Sequence, residues 1–368
     1  MRLFDYSKLR EISWDSQIVS YIAQIQECKG RQELYIRQKP VELNRLVDIA
    51  KIQSTEASNR IEGIVTTEAR LKQLVADKTT PRNRDEKEIL GYRNVLNVIH
   101  ESYEYIPLNA NYILQLHRDL LKYTELSYGG RFKTTPNEID MTLPDGTRQV
   151  LFKPLEPFET PAAVESACCS YNDCLGKEII SPLLLIPCFI LDFLCIHPFN
   201  DGNGRMSRLL TLLLLYRSGY LVGKYISMEK AIADTKEEYY DALQEADRGW
   251  LEEKHDPVPF IKYMLGVILA CYRDFENRVT LLEKAGSKST AYDIVKAYVE
   301  QKLGLFTKQE VASNCPSISR ASIEAALKRL VEEGCIVRKG AGRNTCYGVK
   351  QQHTEGIFSA HKIRLNSD

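Results

Sequence analysis

The segment from His197 to Arg208 has the sequence HPFNDGNGRMSR, and its residue types suit work on phosphate. His197 is the titratable group in it suited to proton transfer near neutral pH. Gly202 and Gly204 can adopt backbone angles closed to other residues, so a ligand can approach the main chain closely. Arg205 and Arg208 lie three residues apart and share one edge of a helix, where their planar forks can bind phosphate oxygens in pairs.

Asp201 is the one acid in this segment. A carboxylate beside an anion site makes electrostatic sense where a divalent cation bridges it to phosphate, and Mg²⁺ commonly binds in this way. Apolar runs flank the segment at residues 183–196 and 209–215, and both indicate buried helices. The polar segment is therefore predicted to be a loop that opens a helix, whose first N–H groups can hold an anion.

The segment resembles the signature of the Fic family, H-x-F-x-[DE]-G-N-G-R-x-x-R, and it matches at every fixed position. The resemblance implies that His197 deprotonates a hydroxyl of a target protein. The hydroxyl attacks the α-phosphorus of ATP, AMP is transferred and pyrophosphate leaves. It also implies that Asp201 holds Mg²⁺, and that Asn203 and the loop N–H groups bind phosphates. Arg205 and Arg208 then bind the phosphates towards the γ end.

A second motif lies upstream at residues 58–63, SNRIEG, and resembles the [ST]-x-x-x-E-[GN] inhibitory motif of the same family. Apolar residues at three- and four-residue steps over residues 43–61 predict a helix, which Gly63 ends. In the family the glutamate, here Glu62, pairs with the second arginine of the loop, here Arg208. An arginine engaged by a carboxylate cannot also bind the γ-phosphate, so ATP would bind in a non-productive pose. An ordinary capped helix end is the alternative.

Helical patterns dominate the chain, and together with the resemblance to the Fic family they imply five segments. Residues 1–105 form an N-terminal helical region that carries the inhibitory helix, 106–250 the Fic catalytic core, 251–289 a helical connector, 290–350 a winged helix, and 351–368 a tail. The predicted fold class is mostly α: a Fic-type helical bundle with a β-hairpin flap, plus a small α+β winged-helix domain.

The helical pattern breaks between Gly129 and Pro157. Residues 138–141 and 147–153 are predicted to form a hairpin that turns at residues 143–146, LPDG. Such a turn signal ordinarily marks a surface hairpin. In Fic-like proteins, however, a hairpin called the flap covers the active site and aligns the target segment by backbone pairing.

Two further features flank this region. His117 lies in a helical pattern over residues 113–121 and is expected to pack or cap rather than to catalyse. Residues 229–246 are predicted to form one amphipathic helix that carries Tyr239 and Tyr240. Tyrosine pairs usually pack against their neighbours, but in the family this region borders the adenine and ribose, so one of these two tyrosines is expected to contact the nucleotide.

Composition excludes several classes of protein. The 368 residues carry 49 basic and 49 acidic side chains, so no global field favours nucleic acid or anionic membrane. The ten cysteines include no C-x-x-C pair, and reduced buried thiols are expected rather than disulfides. The N-terminus lacks an apolar signal core, and residues 183–196 are too few to span a bilayer. We therefore expect a cytoplasmic protein without membrane contact.

Residues 290–350 resemble a winged helix. A helix over 291–302, a capping box at Thr307 and Glu310, a helix over 320–333 and two strands at 335–339 and 345–349 are predicted. Eight Lys and Arg oppose four Glu between residues 306 and 350, a net charge of +4. DNA binding is an open option in which the phosphates would meet Arg320, Lys328, Arg329, Lys339 and Arg343. The alternative is a protein-contact or dimer module.

The favoured function is Mg²⁺-dependent transfer of AMP from ATP to a Ser, Thr or Tyr hydroxyl of a protein, restrained by Glu62. Two alternatives stay open: a Fic-fold transferase that uses another nucleotide donor, and a DNA-binding regulator whose Fic-like domain only senses nucleotide. The expected partners are ATP and a target protein. Self-modification, homodimer formation and DNA binding through the winged helix are further open options.

Overall fold

The structure is a computed structural model that describes residues 4–38, 40–142, 148–285, 290–300, 302, 304–315, 318–340 and 345–349. The chain divides into two compact units, Met1–Val279 and Thr280–Asp368. The described residues are mostly helical, which confirms the predicted fold class. The finer division of the first unit into N-terminal region, core and connector stays a prediction.

The helices of the first unit are α1 (Ser16–Gln38), α2 (Pro40–Ile61), α3 (Glu68–Val75), α4 (Arg84–Ser102), α5 (Ala110–Leu120), α6 (Thr160–Gly176), α7 (Pro182–Ile196), α8 (Asn203–Arg217), α9 (Met228–Asp234), α10 (Lys236–Asp247) and α11 (Val258–Ala285), the last of which runs past Val279. Short 3-10 helices lie at Tyr6–Glu11, Tyr103–Tyr105 and Val222–Lys224. Among the described residues, no helix is both long enough and apolar enough to cross a membrane.

Helix α7 lies at the centre of the first unit. Every residue from Leu183 to Ile196 is buried, because the run is apolar almost throughout. Burying one such Leu or Phe side chain contributes about 1.5–3 kcal/mol. Helix α7 packs against α6 and α8, so the polar loop at residues 197–202 is held between two core helices, as predicted. All ten cysteines are free thiols and seven of them are buried, which also agrees with the sequence.

Helix α2 packs against α9 and α4 and also meets α8. It ends at Ile61, and Gly63 follows with a φ of 78°, a left-handed conformation that glycine adopts without steric cost. The predicted helix and its glycine stop are therefore confirmed. Ser54, Ser58 and Glu62 follow one another at four-residue steps, so they lie along one stripe at the end of this helix.

The single helix predicted over residues 229–246 is wrong. Two helices, α9 and α10, occupy this region, and they are separated at Thr235, which has φ −122° and ψ 43°. The Thr235 hydroxyl donates to the carbonyl of Ala231 and its backbone N–H is shared between the carbonyls of Ala231 and Ile232. A side chain that bonds its own backbone competes with the helical ladder, and this explains the break.

The predicted hairpin consists of β1 (Ile139–Thr142) and β2 (Arg148–Phe152), which pair antiparallel. Ile139 pairs with Phe152 and Asp140 with Val150, so the register shifts by one residue between these pairs. Such a bulge bends the strand locally. The strands of the prediction are confirmed, and the predicted turn at residues 143–146 lies outside the described residues.

The second unit contains α12 (Ala291–Glu300), β3 (Leu305–Thr307), α13 (Lys308–Asn314), α14 (Arg320–Glu332), β4 (Ile336–Lys339) and β5 (Cys346–Val349), with the antiparallel strand order β3-β5-β4. The predicted capping box is present: the Thr307 side chain accepts from the Glu310 N–H, and the Glu310 side chain accepts from the Thr307 N–H. Strand β3 was not predicted, because three residues are too few to show a period-two pattern.

Candidate active site

His197 ends α7 in a left-handed backbone conformation with a φ of 50°. A residue with a side chain adopts this conformation uncommonly, and such residues cluster at functional sites. Its Nδ1 lies 3.3 Å from the carbonyl oxygen of Leu194. A protonated Nδ1 donates to that oxygen and leaves Nε2 as a proton acceptor. Burial lowers the pKa of His197 to about 4, so the imidazole is neutral at pH 7.

The backbone around His197 is held by two residues that precede the hairpin. The N–H of Lys133 donates to the carbonyl of Pro198 at 2.9 Å. The side-chain amide of Asn137 donates to the carbonyl of Phe199 at 3.0 Å and to that of His197 at 3.4 Å. Burial lowers the pKa of the Lys133 amino group to about 8. The sequence singled out neither residue.

His117 supports the same loop from α5, and it is packed, as predicted. Its ring stacks on Phe199 with centroids 3.6 Å apart and planes 10° apart. Its Nδ1 accepts a hydrogen bond from the Gly130 N–H at 3.1 Å, so the ring proton is on Nε2. Nε2 then donates to the carbonyl of Asp201 at 3.0 Å. Burial lowers the pKa of His117 to about 4, which keeps the ring neutral.

The side chain of Asn203 closes the loop on itself. Its Oδ1 accepts from the Phe199 N–H at 2.9 Å, and its Nδ2 donates to the Phe199 carbonyl at 2.7 Å. These bonds use the oxygen and one of the two Nδ2 protons, and only 3% of the residue is exposed, so the side chain is directed at the loop and the backbone N–H is the group placed at the start of α8. Gly202 precedes it with a φ of 84° and turns the chain into α8, whose first N–H groups have no partner within the helix.

Both Nη groups of Arg205 are hydrogen-bonded to carboxylates. Its Nη1 donates to Glu88 of α4 at 2.6 Å and its Nη2 donates to Asp201 at 3.1 Å. Only 1% of Arg205 is exposed, and Glu88 is also buried. The expected contact of Arg205 with a phosphate would therefore require these pairs to rearrange. In this arrangement Arg205 fixes the orientation of Asp201, and Glu88 balances its charge.

Asp201 remains accessible, with 32% of its side chain exposed. Its second oxygen lies 3.9 Å from the guanidinium of Arg84. A hard carboxylate oxygen close to a helix N-terminus fits Mg²⁺ that takes its other ligands from phosphates and water. In the part of the chain that the structure describes, no three His, Cys, Asp or Glu side chains are grouped as metal ligands.

Arg208 donates three hydrogen bonds to the end of α2 and to the residue that follows it. Its Nη2 donates to Glu62 Oε1 at 2.7 Å and to the carbonyl of Ser58 at 2.9 Å. Its Nε donates to the Ser58 hydroxyl at 2.9 Å. A Cβ at position 204 would overlap Oε1 of Glu62, so the carboxylate lies directly against the Gly204 backbone at the start of α8. The Glu62 carboxylate thus occupies a position where an anion is stabilised.

A cavity of about 160 Å³ brings most of these groups together with the two tyrosines. Its lining includes Glu62, His197, Gly204, Arg208, Tyr239, Tyr240, Leu194, Cys195, Leu243, Asp247 and the hairpin residues Ile139 and Phe152. Tyr239 is buried in edge contacts with Phe260 and Tyr263, whereas 42% of Tyr240 is exposed. Asp201 and Arg205 are not among these lining residues, and Arg205 is instead bonded to both Asp201 and Glu88 of α4.

Asp247 is a lining residue that the sequence did not single out. Burial raises the pKa of its carboxyl group to about 6. Tyr240, Leu243 and Asp247 follow one another at three- and four-residue steps along α10, so they share one face of the helix. That spacing was the available signal, and it would have placed Asp247 beside the predicted tyrosines.

Comparisons with known proteins show which proteins the chain resembles. Residues 107–215 match the sequence model of the Fic/DOC family. The chain is 24% identical over 232 residues to a protein adenylyltransferase Fic from Nematostella vectensis, covering 60% of this chain and 48% of that protein. It is 27% identical over 236 residues to the protein of the same name from Drosophila erecta, covering 62% and 42%. The chain thus spans about half the length of the curated relatives it matches.

Two solved structures have a similar fold. A Fic family protein from Desulfovibrio desulfuricans G20 superposes with a TM-score of 0.59 at 20% identity, covering 94% of this chain and 99% of that one. A Fic domain containing signaling protein from Bacteroides thetaiotaomicron VPI-5482 superposes with a TM-score of 0.55 at 26% identity, covering 70% and 95%.

Proposed function

Residues 107–215 form a Fic domain, and from this premise we propose that the protein transfers AMP from ATP to a Ser, Thr or Tyr hydroxyl of a protein. One observation carries the proposal: a carboxylate, Glu62, lies at the N-terminus of α8 in a cavity that also exposes His197. An anion site beside a neutral imidazole suits a reaction in which a phosphate is attacked while a proton is removed. Glu62 restrains this activity by engaging Arg208.

In the proposed reaction, each of the described residues has its own role. Neutral His197 accepts the proton of the target hydroxyl. The hydroxyl oxygen forms a bond to the α-phosphorus as the bond from that phosphorus to the bridging oxygen breaks, and pyrophosphate leaves. The N–H groups at the start of α8 and the guanidinium of Arg208 stabilise the phosphates, since donors fixed in advance stabilise developing charge at little reorganisation cost. Tyr239 and Tyr240 border the nucleoside.

Asp201 is the residue that would hold Mg²⁺, and its orientation is set by Arg205. When bound, Mg²⁺ supplies positive charge that offsets the negative charge of the phosphates. Asp201→Ala should therefore weaken Mg²⁺-dependent use of ATP, and added Mg²⁺ should partly restore it. Asp119→Ala, at an acid that α5 carries, is a matched control that should leave the Mg²⁺ dependence unchanged.

The hairpin is proposed to align the target. Ile139 and Phe152 line the same cavity as His197, so the two strands border the place where the hydroxyl must arrive. Phe152 also contacts the buried Trp250 in an edge-to-face arrangement with centroids 6.2 Å apart, which fixes the end of β2. Main-chain groups of a strand can pair with an extended target segment.

The direct test uses the purified chain and cell lysate incubated with labelled ATP, GTP, UTP and CTP, followed by mass spectrometry for an added nucleotide. Transfer of AMP from ATP to protein hydroxyls is expected, and it should be stronger for Glu62→Gly. Preferential labelling from another nucleotide would favour the alternative donor. No labelling of any protein, by wild type or by Glu62→Gly, would contradict the proposal.

The surface of the second unit gives little support to the DNA-binding alternative. Arg329 is bonded to Glu333 at 2.7 Å and lies over the ring of Tyr292. Lys328 pairs with Glu332 at 3.8 Å. Acidic neighbours thus offset two of the predicted cations, while the position of Arg343 lies outside the described residues. The winged helix and its partner stay predictions.

A further inference from the structure

Lys133 bonds to the turn that carries His197 through both its backbone and its side chain. Its N–H donates to the carbonyl of Pro198 at 2.9 Å, and its Nζ donates to the carbonyl of Ile196 at 3.1 Å. Ile196 is the last residue of α7, so its carbonyl has no partner within the helix. Nζ also donates to the side-chain oxygen of Asn137 at 2.8 Å. The amino group is therefore held between the end of α7 and the segment that leads into β1.

Asn137 bonds to two further carbonyls of the same turn. Its Nδ2 donates to the carbonyl of Phe199 at 3.0 Å and to that of His197 at 3.4 Å. Lys133 and Asn137 together thus reach four carbonyls in a row, those of residues 196–199. A turn with a left-handed residue lacks the regular partners of a helix or a sheet, so its carbonyls need donors from elsewhere. We call these two residues and their bonds to the turn the carbonyl clamp.

The lysine of the carbonyl clamp is buried, with 3% of Lys133 exposed. Lysine is almost never fully buried unless it is paired, because burial disfavours the charged form. Here burial lowers the pKa of the amino group to about 8. An apolar side chain of similar length would avoid this cost but would offer no donor to the turn. The contribution of Lys133 is therefore expected in the geometry of the turn rather than in the stability of the core.

We propose that Lys133 and Asn137 are positioning residues, which hold the left-handed backbone of His197 and tie it to the base of the hairpin. The proposal rests on the proposed function, because it concerns where the base lies relative to the target hydroxyl. Asn137 lies two residues before Ile139, which opens β1 and lines the same cavity as His197. The strand that aligns the target and the imidazole that accepts its proton therefore share one anchor.

The carbonyl clamp should affect the chemical step more than ATP binding. Its bonds end on the carbonyls of residues 196–199, whereas the phosphates meet Arg208 and the start of α8 in the proposed function. Proton transfer requires that His197 lies within hydrogen-bond reach of the target hydroxyl. A misplacement of about 1 Å is enough to lower a rate by about 100-fold. Loss of the clamp should therefore lower the maximal rate of transfer and leave ATP affinity nearly unchanged.

The experiment measures AMP transfer and, by calorimetry, ATP affinity for Lys133→Met and Asn137→Ala, each in the Glu62→Gly background. Lys133→Met keeps an unbranched side chain without donors, and Asn137→Ala removes the amide. Each should lower the maximal rate by about 10- to 100-fold and keep ATP affinity within about threefold of the background. In the His197→Ala protein, adding Lys133→Met should lower the rate no further, because the clamp acts through His197.

Lys29 and Asn172 supply matched controls. Nζ of Lys29 donates to the carbonyl of Ser218, just after α8, at 3.4 Å. Nδ2 of Asn172 donates to the carbonyl of Leu108 at 2.8 Å. Lys29→Met and Asn172→Ala thus remove the same kinds of bond from other parts of the first unit. Both should leave the maximal rate of transfer within about twofold of the background, as expected for sites that share no partner with His197.

The ring of His197 gives a readout that does not depend on transfer. Its Nδ1 lies 3.3 Å from the carbonyl of Leu194, so a ring protonated at Nδ1 should show two distinct ¹⁵N shifts. The signals are assigned by their loss in His197→Ala. Lys133→Met and Asn137→Ala should move them towards the average of the two neutral tautomers, and Asn172→Ala should not.

Unchanged ring shifts in the clamp variants, or equal effects of the clamp variants and the controls on transfer, would overturn the proposal. If Lys133→Met did not fold, the half-buried Asn137 would decide through Asn137→Ala. Absence of AMP transfer by Glu62→Gly itself would count against the proposed function instead. The ring shifts would then still decide whether the carbonyl clamp holds His197.

Discussion

Oε1 of Glu62 and Nη2 of Arg208 lie 2.7 Å apart, which joins the end of α2 to the second turn of α8 across 146 residues of chain. The same carboxylate lies against the backbone of Gly204, at the start of α8. It therefore meets both groups that a phosphate would need, the guanidinium and the helix N-terminus. The pair is accessible to solvent on one side, because 33% of the Glu62 side chain is exposed.

Glu62→Gly should raise AMP transfer. Removing the carboxylate leaves an Nη2 donor of Arg208 and the start of α8 available to the phosphates. A hydrogen bond to a charged group contributes about 1.5–3 kcal/mol, which corresponds to a gain of roughly 10- to 150-fold. Glu62→Gln should give a smaller gain, since the amide keeps the volume and loses the charge. Initial rates of label transfer from ATP to protein measure the effect.

Variants of Arg208 test whether Glu62 inhibits transfer through this arginine or only supports the structure. Arg208→Ala should be inactive, and Glu62→Gly/Arg208→Ala should be no more active than Arg208→Ala alone, because the gain acts through this arginine. A folded Glu62→Gly protein that is no more active than wild type would contradict the inhibitory role. If Glu62→Gly raised AMP transfer equally with Arg208 present and in the Arg208→Ala protein, Glu62 would not act through Arg208.

Gly204→Ala should not reproduce the gain of Glu62→Gly. The added methyl overlaps Oε1 of Glu62 and displaces the carboxylate, but it also fills the space in which a phosphate approaches α8. In the Glu62→Gly background, Gly204→Ala should weaken ATP binding by about tenfold or more, a loss of about 1.4 kcal/mol. Calorimetry on the two variants tests this. Unchanged affinity would mean that phosphates do not approach Gly204.

His197→Ala should lower transfer by roughly 10²–10⁴-fold, the usual contribution of a positioned base. ATP binding should persist, because Arg208 and the N–H groups of α8 make the phosphate contacts. The measurement pairs transfer rates with ATP affinity in the Glu62→Gly background. His117→Phe is a useful comparison: it keeps a ring for stacking on Phe199 but loses the bond to the Asp201 carbonyl, so its defect should respond to Mg²⁺ concentration. Undiminished transfer by His197→Ala would remove this residue from the role of base.

Replacing residues 140–151 with a short Gly-Ser linker should abolish protein modification while ATP binding changes little. The replacement keeps Ile139 and Phe152, which line the cavity, and removes the strand backbone that is proposed to pair with the target. Labelling of lysate proteins and ATP affinity are measured on the same preparation. Labelling of the same targets at the same rate would show that the hairpin does not align them.

Local patterns in the sequence were enough to predict the elements that frame the site. The apolar runs on either side of residues 197–208 gave α7 and α8, and the periodicity before Gly63 gave α2 with its end. The turn signal at residues 143–146 predicted the strands β1 and β2. Each of these signals depends on residues within about one or two turns of each other, where spacing alone determines which side chains share a face.

The residues that hold the site together could not be predicted in this way. Glu88 pairs with Arg205 across 117 residues, and Asn137 bonds to the Phe199 carbonyl across 62. Pairing at such separations depends on how the helices pack and leaves no periodic signal in either segment. The break at Thr235 has a different cause. The hydroxyl group of this residue donates to a backbone carbonyl and so competes with the helical hydrogen bonds, although the amphipathic pattern predicts one helix.

Asp247→Asn should stabilise the protein more at pH 7.5 than at pH 4.5. Burial raises the pKa of Asp247 from 3.8 to about 6, so the folded protein binds this proton more tightly than the unfolded chain does. The carboxyl group therefore favours folding below about pH 4, and this contribution is lost as the pH rises to about 6. Asparagine is neutral throughout, so the advantage of the variant should grow over that window and stay constant above it. Discounted for solvent screening, the gain is about 1–2 kcal/mol.

Urea denaturation of wild type and Asp247→Asn at the two pH values measures this difference. Asp241→Asn is the matched control: Asp241 also lies on α10, but its side chain is exposed to solvent. Its effect on the free energy of unfolding should be nearly the same at both pH values. A difference between wild type and Asp247→Asn that does not change with pH would show that the carboxyl group of Asp247 is not held in a desolvated position beside the two tyrosines.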